Sequence, residues 1–71
     1  MQNYYISFGQ SHAHATPQGT CDKDTLYRIE ANNHSEAHDK AFELFDKKWA
    51  SVYTEADLPR AIEHFPKGVI N

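Results

Sequence analysis

The chain has 71 residues, with seven basic and ten acidic side chains and a formal net charge of −3. A chain of this length is expected to form one domain, residues 1–71, that buries only about 60% of its unfolded surface, which disfavours a deep catalytic cleft. The acidic balance disfavours nucleic acid as a partner, because affinity for the phosphate backbone comes from clustered lysine and arginine.

Cysteine content and hydropathy predict a soluble cytoplasmic protein. Cys21 is the only cysteine, so no internal disulfide can form, which fits a reducing compartment. The first residues lack the basic start of a signal peptide, and no stretch approaches the roughly 20 apolar residues of a membrane span. No membrane contact is therefore expected.

The first half of the chain predicts an antiparallel hairpin. Residues 4–8 are aromatic and β-branched, which suits a strand, and residues 25–31 alternate in the same way. Between them, proline and glycine in residues 16–20 are typical of a turn. A period of two places side chains on opposite faces, so three residues share the inner face of the first strand: Tyr4, Ile6 and Phe8.

A helix over residues 35–45 is the strongest local prediction. Ser35 is a favoured N-cap residue, and glutamates lie four residues before lysines at two places. One apolar stripe follows the i, i+4, i+7, i+8 spacing: Ala37, Ala41, Leu44 and Phe45. Phe42 lies off this stripe and is expected either to cover the sheet edge or to be exposed. A helix beginning after His34 need not align His34 with His38, so both are expected to be solvated.

The last third predicts a third strand over residues 49–54, a helical turn near residues 58–62 and a short closing strand at 69–70. The predicted fold class is α+β: a small β-β-α-β domain with a three-stranded antiparallel sheet, one helix on one face and a short C-terminal appendage. The opposite sheet face, carrying Tyr5 and Tyr53, is expected to be only partly covered, and such a face often binds a partner.

The sharpest chemical signal is the histidine pair His12 and His14, which share a face of an extended chain. Zinc takes four nitrogen, sulfur or oxygen ligands. The following loop offers the remaining candidates, which are Cys21, Asp22 and Asp24. The alternative is structural: histidines at a strand end hydrogen-bond to this loop, and the aspartates cap the entry to the next strand.

The same region and the aromatic residues suggest two other functions, catalysis and binding of single-stranded nucleic acid. Cys21 with a histidine resembles a nucleophile and its base, but no third orienting group is evident, so the chain is predicted not to be an enzyme and to need no cofactor. Aromatic side chains on a sheet can stack on single-stranded nucleic acid, and four are candidates: Tyr5, Tyr27, Trp49 and Tyr53. The acidic charge opposes that alternative.

Several segments resemble, in the same order, a family of small uncharacterised phage and prophage proteins. The most distinctive is Gly9-Gln10-Ser11-His12-Ala13-His14, within residues 4–14, followed by residues 22–24, 29–31, 41–45 and 65–68. The resemblance implies a phage origin and a host-directed function, such as inhibition of a host defence system. It implies no activity and no target.

Together these observations predict an accessory protein that binds a host protein or protein complex. Tyrosine and tryptophan are favoured at interface hot spots. The candidate interface residues are Tyr5, His12, His14 and Tyr53. A homodimer is also expected, because it would bury sheet surface that a small chain cannot cover alone.

Overall fold

A computed structural model describes residues 1–10, 13–17 and 19–70. It shows a small α+β fold with one main helix, a four-stranded mixed sheet and a separate two-stranded sheet. The strands are β1 (Gln2–Ser7), β2 (His14–Thr16), β3 (Gly19–Cys21), β4 (Thr25–Ala31), β5 (Ser51–Thr54) and β6 (Gly68–Ile70). The helices are α1 (His34–Phe45) and α2 (Leu58–Ala61), the latter followed by a 3₁₀ turn, Ile62–His64. No helix in these described ranges is long and apolar enough to cross a membrane.

The predicted pairing of the first two long strands is confirmed. β1 runs antiparallel to β4, with Tyr4 opposite Ile29, and antiparallel to β5 on its other side. The three-stranded antiparallel description is wrong in one respect, because β6 adds a fourth strand parallel to β4. The sheet order is therefore β5-β1-β4-β6, with β5 at one outer edge. Strands β2 and β3 form a small hairpin within the long connection.

The predicted face alternation is confirmed on the side covered by α1. The buried core there contains Tyr4, Ile6, Phe8, Cys21, Ile29, Ala31, Ala37, Ala41, Phe45 and Val52. Three members of the predicted helix stripe are in this core, but Leu44 is 54% exposed, which contradicts its place in the stripe. Successive helical residues are about 100° apart, so the narrow stripe that meets the sheet includes Phe45 and leaves Leu44 at its margin.

The opposite sheet face is covered, contrary to the expectation of partial exposure at Tyr5. Tyr5 is 5% exposed and packs in a second core with Leu26, Ala61 and Phe65. The C-terminal appendage, α2 and the 3₁₀ turn, provides this cover because its apolar residues recur at helical spacing. Tyr5 is therefore a core residue and is removed from the candidate interface.

Helix α1 begins one residue earlier than expected, with Asn33 rather than Ser35 at the N-cap. The Asn33 side chain accepts a hydrogen bond from the Glu36 backbone N–H at 2.8 Å, which satisfies one of the free donors of the first turn. His34 is therefore the first helical residue. This shift of the N-cap by two positions places His34 and His38 one turn apart on the same helix face.

Candidate functional site

His14 lies half-buried against the aromatic core, and its hydrogen bond goes to the chain after α1. Its ring centroid is 5.5 Å from that of Phe8 and 5.0 Å from that of Phe45. Its Nε2 lies 2.8 Å from the carbonyl oxygen of Lys48, which can only accept, so Nε2 donates. The expected bond from this histidine to the Asp22 loop is replaced by one that ties the β2–β3 hairpin to the chain after α1.

Cys21 lies opposite His14 in the β2–β3 pair, but its thiol belongs to the core. The residue has no exposed surface. Burial raises the pKa of the Cys21 thiol, and the neighbouring charge of Asp22 raises it further. A thiol held in its neutral form is a poor nucleophile and a poor metal ligand.

The two aspartates organise a turn. Asp22 accepts a hydrogen bond from Asp24 N–H at 2.9 Å and a charged one from Lys67 Nζ, also at 2.9 Å. The bond from Lys67 lowers the pKa of the Asp22 carboxyl, with the Asp24 amide as the second cause. The backbone N–H of Lys67 donates to the Asp24 carbonyl at 3.0 Å. The loop therefore anchors the start of β6 beside the start of β4.

The described residues do not assemble the predicted metal site. His12 lies outside the described residues. Its four proposed partners are used elsewhere: His14 against aromatic rings, Cys21 in the core, and both aspartates in the turn. In the described ranges, no three His, Cys, Asp or Glu side chains are grouped so that they could hold a metal ion.

Tyr53 is half-buried and lies between two open grooves on the face covered by the C-terminal appendage. Its ring packs edge-on against Phe65, with centroids 6.1 Å apart. One groove, of about 410 Å³, also involves Lys23 and His64, and the other, of about 370 Å³, involves Arg60 and His64. Tyr53, a residue of the outer strand β5, is therefore a candidate interface residue that the structure leaves partly accessible.

The other side of β5 carries a partly exposed cluster of aromatic side chains, of which the sequence predicts only Trp49 as a candidate for binding. Phe42 is 51% exposed, and its ring lies edge-on to Trp49 with centroids 5.1 Å apart. The Trp49 ring in turn lies 5.4 Å from His38. Trp49 also donates from Nε1 to the Asp46 carbonyl at 3.0 Å, which fixes the indole after the helix. A contiguous group of exposed apolar side chains, unlike a single one, often marks a contact with other molecules.

His34 and His38 continue this cluster toward the start of the helix. Their ring centroids are 4.5 Å apart, and the His34 ring lies edge-on to Tyr4 at 5.7 Å. Nε2 of His34 donates to the Val52 carbonyl of β5 at 3.3 Å, and Nδ1 of His38 donates to the His34 carbonyl at 3.0 Å. The i, i+4 spacing was the signal for this pair. An N-cap at Ser35, as the sequence predicts, would leave His34 outside the helix and the two rings unaligned.

The four aromatics weighed for nucleic-acid stacking do not form a common platform. Tyr5 is in the second core, while Tyr27 packs edge-on against Phe45 beneath α1, with centroids 5.4 Å apart. Trp49 and Tyr53 belong to opposite faces of the sheet. Because these four rings form no continuous stack, the geometry does not support the stacking of single-stranded nucleic acid on them.

No protein-family model matches the chain, and comparison with the curated proteins and with the solved structures gives no match either. The similarity to phage and prophage proteins therefore stays a prediction that rests on the segments quoted above.

Proposed function

We propose that this chain is a protein-binding module whose contact surface follows the outer strand β5. We call this the β5 surface and define it by Phe42 and Trp49 on the helix side of the strand and Tyr53 on the other side. The observation that carries the proposal is the half-exposed Phe42 ring held against Trp49 beside a sheet edge.

The chemistry of the surface supports a protein partner. Tyrosine, tryptophan and phenylalanine are enriched at protein interfaces, where rigid rings bury much area at small entropic cost. The indole of Trp49 is already oriented by its bond to Asp46, so little freedom is lost when a partner covers it. The chain's net charge of −3 again disfavours nucleic acid.

The similarity to phage and prophage proteins gives a reason to search for the partner among bacterial host proteins, defence systems included. This class of partner is part of the proposal and does not follow from the fold. Catalysis is not proposed, because the candidate nucleophile Cys21 is buried with a raised pKa.

The test compares Phe42→Ala with a matched control on the same helix. Leu44 is 54% exposed, close to the 51% of Phe42, but it lines a different groove with Met1 and Tyr27. Full burial of a phenylalanine ring is worth about 1.5–3 kcal/mol. Covering the exposed half would therefore contribute about 1 kcal/mol, and loss of the packing with the partner adds to the effect of truncation.

Wild type, Phe42→Ala and Leu44→Ala would each be immobilised and exposed to a bacterial extract, and the retained proteins would be identified by mass spectrometry. A partner retained by wild type and Leu44→Ala would then be purified for affinity measurement. We expect Phe42→Ala to weaken binding about tenfold and Leu44→Ala to leave it unchanged. Equal binding by both variants would refute the β5 surface. Sedimentation equilibrium of wild type alone would reveal a homodimer, the second predicted partner.

A further inference from the structure

We infer that His34 and His38 form a surface site for a divalent transition-metal ion of the kind that imidazole prefers, Cu²⁺, Ni²⁺ or Zn²⁺. This goes beyond the proposed protein binding and does not use the earlier candidates His12, His14 or Cys21. The observation that carries it is the orientation of both rings by backbone carbonyls on one face of α1.

The first step is the spacing. Helix α1 runs His34–Phe45, so His34 and His38 are both helical and one turn apart. Side chains at i and i+4 lie above one another on a helix, and two histidines at this spacing are a known ligand arrangement for zinc. Here the ring centroids are 4.5 Å apart. A metal–nitrogen bond is about 2.0–2.1 Å long, so binding of one ion by both rings needs a free nitrogen of each ring within about 4 Å of the other.

The second step is the tautomer of each ring. A carbonyl oxygen can only accept, so Nε2 of His34 carries the hydrogen that is donated to Val52, and Nδ1 of His38 carries the one donated to the His34 carbonyl. Each neutral imidazole then keeps one nitrogen lone pair, Nδ1 in His34 and Nε2 in His38. Neither of these nitrogens has a hydrogen-bond partner in the described ranges.

This arrangement matches the support that metal-binding histidines use in general. Such a histidine almost always donates its other ring N–H to a carbonyl or carboxylate, which fixes the tautomer and the orientation of the ring. Both rings here have that support before any metal is present. An adjacent β-strand provides it for His34, and the helix backbone provides it for His38.

The surroundings determine the kind of site. His34 is exposed and His38 half-exposed, so an ion reaches the pair from solvent. In the described part of the chain no third His, Cys, Asp or Glu joins the pair to complete a metal-binding group. Water would therefore fill the remaining positions, as expected for a two-histidine surface site. Among divalent ions, affinity should be highest for Cu²⁺.

The neighbouring indole provides the readout. Trp49 is the only tryptophan in the chain, and its ring centroid lies 5.4 Å from that of His38. Paramagnetic Cu²⁺ and Ni²⁺ bound at this distance should quench the Trp49 fluorescence. The test titrates each ion into wild type and into three variants, which are His34→Ala, His38→Ala and His64→Ala.

We expect saturable quenching at one ion per chain in wild type and in His64→Ala. Since His64 is an exposed histidine of the 3₁₀ turn, its variant is the matched control for binding to a single surface histidine. Removing one of two linked ligands should weaken binding about a hundredfold. His34→Ala also loses the bond to Val52, so circular dichroism must show a folded chain. His38→Ala keeps that bond and gives an independent result.

Three results would overturn the assignment. One is unsaturable or absent quenching in the wild type, and another is quenching of folded His38→Ala at the wild-type ion concentration. The third is loss of binding in His64→Ala equal to that in His38→Ala. No protein partner is present in this experiment, so its failure would leave the proposed protein binding through Phe42 intact.

Discussion

The two phenylalanines Phe42 and Phe45 lie three residues apart on α1, and the structure predicts very different consequences of truncating them. Phe45 is 7% exposed, and its ring lies edge-on to Phe8 at 4.8 Å and to Tyr27 at 5.4 Å. Phe42 is 51% exposed, and among residues 1–10, 13–17 and 19–70 its one ring contact is with Trp49. We therefore expect Phe45→Ala to destabilise the fold much more than Phe42→Ala.

The magnitudes follow from burial. Truncation of a buried phenylalanine costs about 3–5 kcal/mol, because transfer energy is lost and a cavity remains. Half of the Phe42 side chain is already in water, so its truncation should cost about 1 kcal/mol. A chain of 71 residues is expected to have a free energy of unfolding of roughly 4–11 kcal/mol. Phe45→Ala thus removes a large share of the stability, whereas Phe42→Ala leaves most of it.

Thermal unfolding followed by far-ultraviolet circular dichroism is the appropriate assay. Fluorescence is unsuitable, because Phe42 contacts the single tryptophan and its truncation alters the signal directly. In a domain of this size, 1 kcal/mol shifts Tm by about 4–8 °C. We expect a shift in that range for Phe42→Ala, and for Phe45→Ala either a shift several times larger or no folded state. Equal shifts would refute the packing argument and would also remove Phe42→Ala as a test of binding.

Three further predictions concern the helix start, the buried thiol and the turn before β4. Urea denaturation should show that Asn33→Ala lowers the free energy of unfolding by about 1 kcal/mol, because Asn33 is the N-cap. Ser35→Ala should lower it by clearly less, and a larger loss from Ser35→Ala would contradict this assignment. Cys21 should react with a thiol reagent at mildly alkaline pH only slowly when folded and rapidly in urea, since burial raises its pKa; rapid labelling of the folded chain would show an accessible thiol. The Asp22 carboxyl, whose pKa is lowered first by Lys67, should titrate in NMR at a higher pH in Lys67→Met. The stability from this pair is complete above the ordinary aspartate pKa and is lost as the pH falls through the lowered value; an unchanged Asp22 titration in Lys67→Met would rule out the pair.

Much of the α1 side of the fold could be predicted from the sequence by itself. The period of two in residues 4–8 and 25–31 specifies which side chains share a face, because successive Cβ atoms of a strand point to opposite sides. Tyr4, Ile6 and Phe8 accordingly lie in the core beneath α1. Because this alternation is a local property of the backbone, a short segment of sequence is enough to predict it.

Only the tertiary structure decided which surfaces are covered. Tyr5 alternates as an outward residue of β1, yet Ala61 and Phe65 bury it, since the appendage returns to the sheet from more than 50 residues away. The parallel pairing of β6 with β4 depends on the same return, which the bond from Lys67 to Asp22 helps to anchor. No local pattern contains the geometry of such a long-range contact.

For the candidate sites, too, the sequence specifies some features and the tertiary structure decides the others. The sequence identifies His34 and His38 at i, i+4, but Asn33 and Ser35 are both favoured N-cap residues, and a shift of two positions decides whether His34 is helical. The structure selects Asn33 and orients His34 against Val52 of β5. The sequence specifies the two residue types and their spacing. The hydrogen bond from His38 to the His34 carbonyl needs only the helix, whereas the bond from His34 to Val52 forms only when the helix packs against β5.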